Sequence, residues 1–340
     1  SASDIARIYA DFAHGLTFES LPSEVVHATK LMILDQLGVM LLGSSAAGVD
    51  TLVDTVADWG GKPESTVLVH GTRVPAHHAA LVNGTMARAL DYDAVHEKAI
   101  VHTTAGSLPQ CLAIAERNGA VSGKDLIVAM AAGMELMIRL GLANEVSFLN
   151  TGRVTTLHQA TFGGALAAAK LMRLSPEAIV SVLGIASGQV AGTLQMVVEG
   201  SVLVRVQQGF AGQNAVLAAV LAERGMRSIE RVFQGEFGYF RAYHDNRYRA
   251  GTLTEGLGRD FVVQTTSIKY YPCCFLAHFA IAAMEKLARE HALKADDVAS
   301  IHLRMTKGSY DAVCAPIEAK RAVTNTQEAL FSAPYTVATA

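Results

Sequence analysis

Charged residues are scarce in this chain and nearly balanced in sign. They make up 17% of the 340 residues, with 28 lysines and arginines against 31 aspartates and glutamates, and the formal net charge is −3. Proteins that bind nucleic acid or an anionic membrane usually carry a surplus of basic residues. We therefore expect neither a nucleic-acid partner nor a membrane partner.

Cysteine is also rare, with four residues in the whole chain. Cys273 and Cys274 are adjacent and cannot sensibly pair with each other. So few thiols favour the reduced state that is usual in the cytoplasm. The N-terminal residues lack the basic stretch, apolar core and small-residue cleavage site of a secretory signal. We expect a cytoplasmic protein with reduced thiols.

Long uninterrupted apolar runs are missing, although 51% of the residues are hydrophobic. A membrane-spanning helix needs about 20 consecutive apolar residues, and the best candidate, residues 126–142, is broken by Glu135 and Arg139. The many alanines and glycines instead favour closely packed helices, some of them hidden at a subunit interface. We expect an oligomer.

Motifs for nucleotide cofactors and for serine hydrolysis are absent as well. The sequence contains no Gly-x-Gly-x-x-Gly after a strand, no phosphate-binding Gly-Lys-Ser/Thr loop and no Gly-x-Ser-x-Gly elbow. We therefore predict no nucleotide cofactor.

What the chain does contain is helical periodicity through most of its length. Apolar residues recur three and four positions apart, which predicts one all-helical domain over residues 1–262. Helices are predicted at residues 25–42, 48–59, 75–90, 107–118, 123–142, 161–171, 176–191 and 209–224, with a short strand at 65–68. One face of the first of them carries Val26, Leu31, Leu34, Leu37 and Met40.

The pattern changes near residue 262. Residues 262–268 are rich in β-branched side chains, a helix is predicted at 276–291, and residues 296–305 are typical of a strand. This order predicts a smaller α+β domain over residues 263–340. Residues 331–340 look like a helix that has only begun, so we expect the natural chain to continue.

The densest polar cluster follows a predicted helix. Asp91, Asp93, His96 and His102 lie within twelve residues of an otherwise apolar stretch, and such groups are costly to bury unless they are paired. An active site and a solvated helix end both fit this pattern. A metal site would need a similar residue set, but no His pair at helical spacing supports it, and we predict no metal.

Three further residues fit both a structural and a functional interpretation. His158 precedes a Gly- and Ala-rich helix, where it is either a site residue or an ordinary core histidine. Arg139 lies four residues after Glu135, which fits an internal salt bridge or a clamp for a substrate carboxylate. Lys269 precedes two tyrosines, a proline and two cysteines at the predicted domain junction, a common place for a substrate cleft.

Taken together and in order, these segments resemble the MmgE/PrpD family, whose members include 2-methylcitrate dehydratase, cis-aconitate decarboxylase and iminodisuccinate epimerase. The resemblance covers most of the chain. It rests on Asn83-Gly84, Ala89-Leu90-Asp91-Tyr92-Asp93, His102, Arg139-Leu140-Gly141, His158, Leu183-Gly184-Ile185-Ala186, the segment from Lys269 to Cys274 with His278, and Phe331-Ser332-x-Pro334-Tyr335.

The resemblance implies a large helical domain with a smaller α+β lid, a homodimer, and a site in the cleft between the domains that needs no cofactor. It also implies which residues act. The implied catalytic residues are Asp91, His102, His158, Lys269 and Tyr310. Our own hypothesis adds that Lys269, Arg139 and Arg205 bind substrate carboxylates.

One segment departs from the family pattern. Members with dehydratase or decarboxylase activity resemble Lys-x-Leu-His-x-Gly where this chain has Val204 in the Lys position and Gln207 in the His position. Arg205 is the nearest cation that remains.

The reactions of the family share the loss or gain of a proton at a carbon near a carboxylate. We therefore predict a lyase-type enzyme, similar to 2-methylcitrate dehydratase, that acts on a small di- or tricarboxylic acid. In this hypothesis His102 and His158 are the acid/base candidates, while Lys269 binds a carboxylate. Two alternatives stay open: an epimerase of a dicarboxylate, and a degenerate member that binds a carboxylate without catalysis.

Overall fold

The protein is described here by a computed structural model that covers residues 4–146 and 148–340. Helices make up 60% of it and strand residues 4%, which confirms the mainly α prediction. Residues 1–3 and Ser147 of the predicted helical domain lie outside the described residues. The predicted strand at 65–68 is present in shorter form, as an antiparallel pair of β1 (Ser65–Thr66) and β2 (Arg73–Val74).

Eighteen α-helices run through the described residues. In chain order they are α1 Ile5–Gly15, α2 Ser23–Gly43, α3 Val49–Trp59, α4 Ala76–Ala87, α5 Leu108–Asn118, α6 Gly123–Ala143, α7 Phe148–Thr151, α8 Thr155–Leu171, α9 Pro176–Ser187, α10 Gln195–Val198, α11 Leu203–Glu223, α12 Tyr239–His244, α13 Ala250–Thr254, α14 Phe275–His291, α15 Lys307–Val313, α16 Ile317–Arg321, α17 Thr326–Leu330 and α18 Ala333–Ala338.

Each helix predicted from periodicity is present, and the clearest boundaries are those with a cap. The side chain of Ser122 begins α6 by accepting from the backbone N–H of Asp125, and Ser175 caps α9 in the same way. Two helices begin about six residues earlier than predicted, at Thr155 and at Leu203. Neither of these starts has a side-chain cap, so the sequence offers no local signal there.

Glycines allow the central helices to cross closely. Helix α6 packs along α8, and α11 packs against both α4 and α8. A Cβ atom on Gly133 of α6 would lie 2.5 Å from the carbonyl oxygen of Gly163 on α8, and one on Gly84 of α4 would lie 3.1 Å from the Cα of Gly209 on α11. The high content of small residues therefore reflects helix-on-helix packing.

Only part of the predicted apolar face of α2 packs against the core, through Met40, which is buried, and Val26, which is half-buried. The helix buries Val25, Met32 and Met40, whereas Leu31, Leu34 and Leu37 of the predicted face are exposed. Both faces are apolar, so periodicity alone could not decide which of them meets the rest of the protomer.

Two strand predictions after residue 261 are wrong. Val263–Thr265 is a 3-10 helix, and Ser267 forms only an isolated bridge with Val95. A second 3-10 helix occupies Ala295–Asp297, and residues 298–306 form neither helix nor strand. β-branched residues favour extended backbone, but a strand needs a neighbour to hydrogen-bond with along its length, and in the described chain only Ser267 of these segments has such a partner.

The described residues pack around two hydrophobic clusters. The large one is built from residues 5–263, and a smaller one from residues 273–337 that includes Cys273, Cys274 and Cys314. All four cysteines are free thiols. A domain boundary between residues 262 and 263 agrees with this division and stays a prediction.

Two helices, α2 and α6, are long and apolar enough to cross a membrane by length and composition alone. The apolar window of α6 is 83% buried inside the protein, as expected for the central helix of a packed core, whereas that of α2 is 33% buried.

Candidate active site

The polar cluster lies in the irregular segment that follows α4. Asp91 adopts a left-handed backbone conformation with φ of 49°. Further along the loop, the backbone N–H of Ala99 donates to Nδ1 of His96, whose Nε2 lies 2.9 Å from Oγ1 of Thr265. Because Nδ1 accepts, Nε2 carries the proton and donates to the threonine. His96 therefore holds the loop in place and stays apart from the other polar groups of the cluster.

His102 lies at the centre of the cluster, with a partner on each ring nitrogen. Its Nδ1 is 2.9 Å from Oδ2 of Asp93, and its Nε2 is 3.0 Å from Nη2 of Arg88. A guanidinium can only donate, so Nε2 accepts from Arg88 and the Nδ1–H donates to Asp93. The contacts thus select one tautomer of a neutral imidazole.

Arg88 and Lys269 neutralise the two carboxylates. Nη1 of Arg88 donates to Oδ1 of Asp91 and lies 3.3 Å from Oδ1 of Asp93. Nζ of Lys269 lies 3.1 Å from Oδ1 of Asp91 and 2.5 Å from the backbone oxygen of the same residue. All five side chains are buried, and two cations balance two anions, as buried charges require.

These contacts set the charge of each group. Burial alone would raise the pKa of Asp91 and of Asp93, but Arg88, Lys269 and His102 outweigh it, so both pKa values lie below their usual range. Burial, followed by the charge of Arg88, lowers the pKa of His102, and Asp93 offsets only part of this. At neutral pH the carboxylates are ionised and the imidazole is neutral, which is the form that can accept a proton.

Asp91, Asp93 and His102 also offer three ligand atoms within 4.8 Å of one another. A metal ion would have to compete with Arg88 and Lys269, which already contact these atoms. The residues therefore fit an ion-paired acid/base site better than a metal site.

Beside this cluster lies a cavity of about 380 Å³. Arg88, Asp91, His102 and Lys269 form one end of it, and most other lining residues are apolar. The walls come both from the large helical body and from the segment after residue 273. Volumes of this order suit small-molecule binding sites.

Two of the predicted catalytic residues lie away from the lining of this cavity. His158 is in the first turn of α8, where its ring packs edge-on against Tyr239 and Tyr243 and its Nδ1 is 3.4 Å from the Tyr239 hydroxyl. Burial lowers its pKa to about 4. Tyr310 is 44% exposed on α15, next to Asp311, which does line the cavity. Their catalytic roles stay predictions.

The contacts of Arg139 favour the salt-bridge interpretation over the substrate clamp. Nε donates to Oε2 of Glu135 at 2.9 Å. The two terminal nitrogens donate to backbone oxygens of Thr252, Glu255 and Asp260 at 2.7–3.1 Å. The guanidinium is thus engaged inside the protein and is not among the residues that line the cavity. A substrate-binding role for Arg139 stays a prediction.

Arg205 also has internal partners. It donates to the backbone oxygen of Ala47 at 3.2 Å and to Oε1 of Gln327 at 2.8 Å, so it joins α11 to α17. Its neighbour Val204 lines the cavity. Gln207 lies 3.5 Å from the backbone oxygen of Thr193. A substrate-binding role for Arg205 stays a prediction.

Arg88 is the site residue that sequence reasoning missed. It lies three residues before Asp91, a spacing at which opposite charges meet in a helical turn, and this was the available signal. Cys274 also lines the cavity, and burial raises its pKa to about 11. Its thiol is therefore protonated at neutral pH.

Comparison with known proteins shows which protein family the sequence matches. The family model of the MmgE/PrpD N-terminal domain matches residues 7–250, and that of the MmgE/PrpD C-terminal domain matches residues 271–340. A cis-aconitate decarboxylase of Aspergillus terreus is 30% identical over 300 residues, which cover 85% of this chain and 61% of that protein. Human cis-aconitate decarboxylase is 27% identical over 318 residues, covering 90% and 65%.

A third relative, the cis-aconitate decarboxylase-like protein oryM of Aspergillus oryzae, is 29% identical over 284 residues, which cover 80% of this chain and 59% of that protein. The chain therefore spans about three fifths of the length of the curated relatives it matches.

Proposed function

Since the chain belongs to the MmgE/PrpD family, we propose that it is a lyase-type enzyme that transfers a proton at a carbon next to a carboxylate of a small di- or tricarboxylic acid. The observation that carries this proposal is the position of His102, which lies between Asp93 and Arg88 at the polar end of a cavity. The names of the curated relatives support a lyase over other classes of enzyme.

In this proposal, substrate binding frees the base. A substrate carboxylate competes with Nε2 of His102 for the guanidinium of Arg88, because an ionic acceptor makes the stronger hydrogen bond. Once Arg88 turns to the carboxylate, the lone pair on Nε2 faces the substrate. Asp93 then stabilises the imidazolium that forms when His102 takes the proton.

The electrons and protons balance in both lyase reactions. In an elimination, His102 removes the proton, the electron pair of the C–H bond forms a carbon–carbon double bond, and a substituent leaves from the neighbouring carbon. In a decarboxylation, His102 first takes up a proton from solvent water, one carboxylate leaves as carbon dioxide, and the electron pair left on carbon takes that proton from the imidazolium. Arg88 and Lys269 stabilise the negative charge that builds on the remaining carboxylate.

The test begins with a thermal-shift screen of di- and tricarboxylic acids, followed by turnover of the hits monitored by proton NMR. We expect His102→Asn to lower turnover by roughly 10²- to 10⁴-fold, the usual contribution of an acid/base group. His291→Asn, at an exposed position at the end of α14, is the matched control and should keep full activity. Unchanged turnover in His102→Asn overturns the assignment.

An epimerase is the second candidate. The observation in its favour is Val204, an apolar residue in the cavity wall at the position where the resemblance to dehydratases and decarboxylases of the family implies a lysine. The two reactions differ in the fate of the carbanion, which either loses a group or is reprotonated on its other face. Deuterium entering the substrate from heavy water without net product favours the epimerase. A growing enoate absorbance, or release of carbon dioxide, favours the lyase.

A degenerate member that only binds a carboxylate is the third possibility raised by the sequence. Thermal-shift hits without turnover or deuterium exchange would support it over both enzymes.

A further inference from the structure

The cavity beyond its polar end has mostly apolar walls. The large helical body contributes Val154, Met196 and Val204, and the segment after residue 273 contributes Phe275, Leu276 and Phe331. These side chains come from separate helices and loops and face one shared space. An entirely polar substrate would leave them without a partner, whereas an apolar group would remove them from water.

The charges around the cavity are balanced. Among the described residues that line it, the cations are Arg88, Lys269 and Lys320, and the carboxylates are Asp91, Asp311 and Glu328. His102 is neutral at neutral pH. A tricarboxylate brings three negative charges and binds best where cations outnumber anions. The balance thus favours an acid with fewer charges and a larger apolar part.

From this pairing of one polar end with apolar walls, we infer that the site takes a dicarboxylic acid that carries an alkyl substituent of several carbons. A carboxylate lies at Arg88 and Lys269, next to His102, and the alkyl chain lies along the walls formed by Val204, Phe275 and Phe331. The inference rests on the proposed function for the reacting end of the substrate and extends it to the substrate class.

The effect of the alkyl substituent on affinity is measurable, because each buried methylene strengthens binding by about fourfold. The probes are 2-methyl-, 2-butyl- and 2-hexylsuccinate, with citrate for comparison. Each is titrated into the full-length protein by calorimetry. We expect the dissociation constant to fall by about fourfold for each added methylene, and 2-hexylsuccinate to bind more tightly than citrate. Equal affinities for the three succinates overturn the inference.

A pair of matched variants tests where the alkyl substituent lies in the cavity. Ala319 lines the cavity on α16, whereas Ala283 is exposed on α14 and does not line it. We expect Ala319→Trp to reduce or abolish the gain in affinity from methyl to hexyl while affinity for 2-methylsuccinate changes little. Ala283→Trp should keep the full gain. If the gain in affinity from methyl to hexyl is unchanged in Ala319→Trp, the alkyl substituent does not lie in this cavity and the inference fails.

A second pair of matched variants changes Val204. Val204→Lys places a cation in the apolar wall, so we expect weaker binding of 2-hexylsuccinate and tighter binding of citrate. Val204→Leu keeps the wall apolar and should keep the preference for the alkyl acid. Circular dichroism confirms that each variant is folded. An unchanged preference in Val204→Lys contradicts the inference.

Binding and turnover separate this inference from the proposed function. If affinity rises with chain length but no acid is turned over or exchanges deuterium, the substrate class stands and the proposed activity fails. If citrate or cis-aconitate is turned over while the alkyl chain adds no affinity, the activity stands and the inference fails.

Discussion

His102 and His158 are both almost fully buried, but their ring nitrogens face different groups. His102 is hydrogen-bonded to Asp93 and Arg88, so it can pass a proton between a charged network and a substrate. His158 is surrounded by tyrosine rings, and burial dominates its behaviour. The same residue type thus has different chemistry because its neighbours differ.

A first prediction at this scale concerns His158 and acid stability. In the unfolded chain a histidine takes up a proton near pH 6.5, whereas in the folded protein the pKa of His158 is lowered to about 4. Between these values the unfolded state binds more protons, so the free energy of unfolding falls as the pH drops from 6.5 to 4. The contribution of His158 to this fall is about 3 kcal/mol.

The variant His158→Phe keeps an aromatic ring against the two tyrosines but cannot be protonated. Urea unfolding at several pH values should show a smaller loss of stability in acid than in the parent protein. His291→Phe, at an exposed position, serves as the control and should leave the pH dependence unchanged. If the two variants lose stability in the same way, burial of His158 is not the cause.

At the scale of elements, α6 shows how a helix can hold the rest of the fold in place. Glu135 accepts from Arg139 one turn later and from the backbone N–H of Val263, and Arg139 donates to the 252–260 segment. One buried ion pair therefore attaches α6 to the segment that leads into the cavity wall. The strand predictions failed at the same scale, because a strand depends on a neighbour that local sequence does not reveal.

The second prediction tests this structural role of Arg139. Arg139→Leu leaves Glu135 buried without its cation, and breaking a buried pair in this way costs about 3–5 kcal/mol. Urea unfolding should show the loss, whereas KM measured on the folded fraction should change little. Full stability together with a large rise in KM would instead support a substrate clamp.

A double variant provides the control for that experiment. Glu135→Leu combined with Arg139→Leu removes both charges, so no unpaired carboxylate remains. It should be more stable than the single variant Arg139→Leu, in which the carboxylate of Glu135 is left without a cation.

At the scale of the whole molecule, α2 carries an exposed apolar surface that no other described residue covers. Leu34, Leu41 and Leu42 are 60–69% exposed on it, and a Cβ on Gly38 would meet nothing within 4 Å. An exposed row of leucines around a glycine suits close packing against another helix. We propose that this face forms the homodimer interface expected from the sequence.

The third prediction follows from this proposal. Leu34→Asp places a charge in the interface, so light scattering after size exclusion should give a dimer for the parent protein and a monomer for the variant. Leu287→Asp, on an exposed position of α14, is the matched control and should stay dimeric. A monomeric parent protein, or a dimeric Leu34→Asp variant, contradicts the proposal.

The sequence by itself determined nine of the eighteen helices in the described residues, the mainly α class and the family. Helical periodicity and caps such as Ser122 and Ser175 are local, so they can be read within about ten residues. The loop that holds Asp91, Asp93 and His102 could also be identified as a candidate site from local sequence, because polar groups are costly to bury in an apolar stretch.

Only the tertiary structure decided which of the candidate residues meet. It brought Lys269 to Asp91 across 178 positions of sequence, placed Arg88 between His102 and both carboxylates, and engaged Arg139 in a separate ion pair. It also decided which apolar face of α2 is buried. Such contacts depend on how distant segments pack and on where each buried charge finds its partner, and neither is encoded in local periodicity.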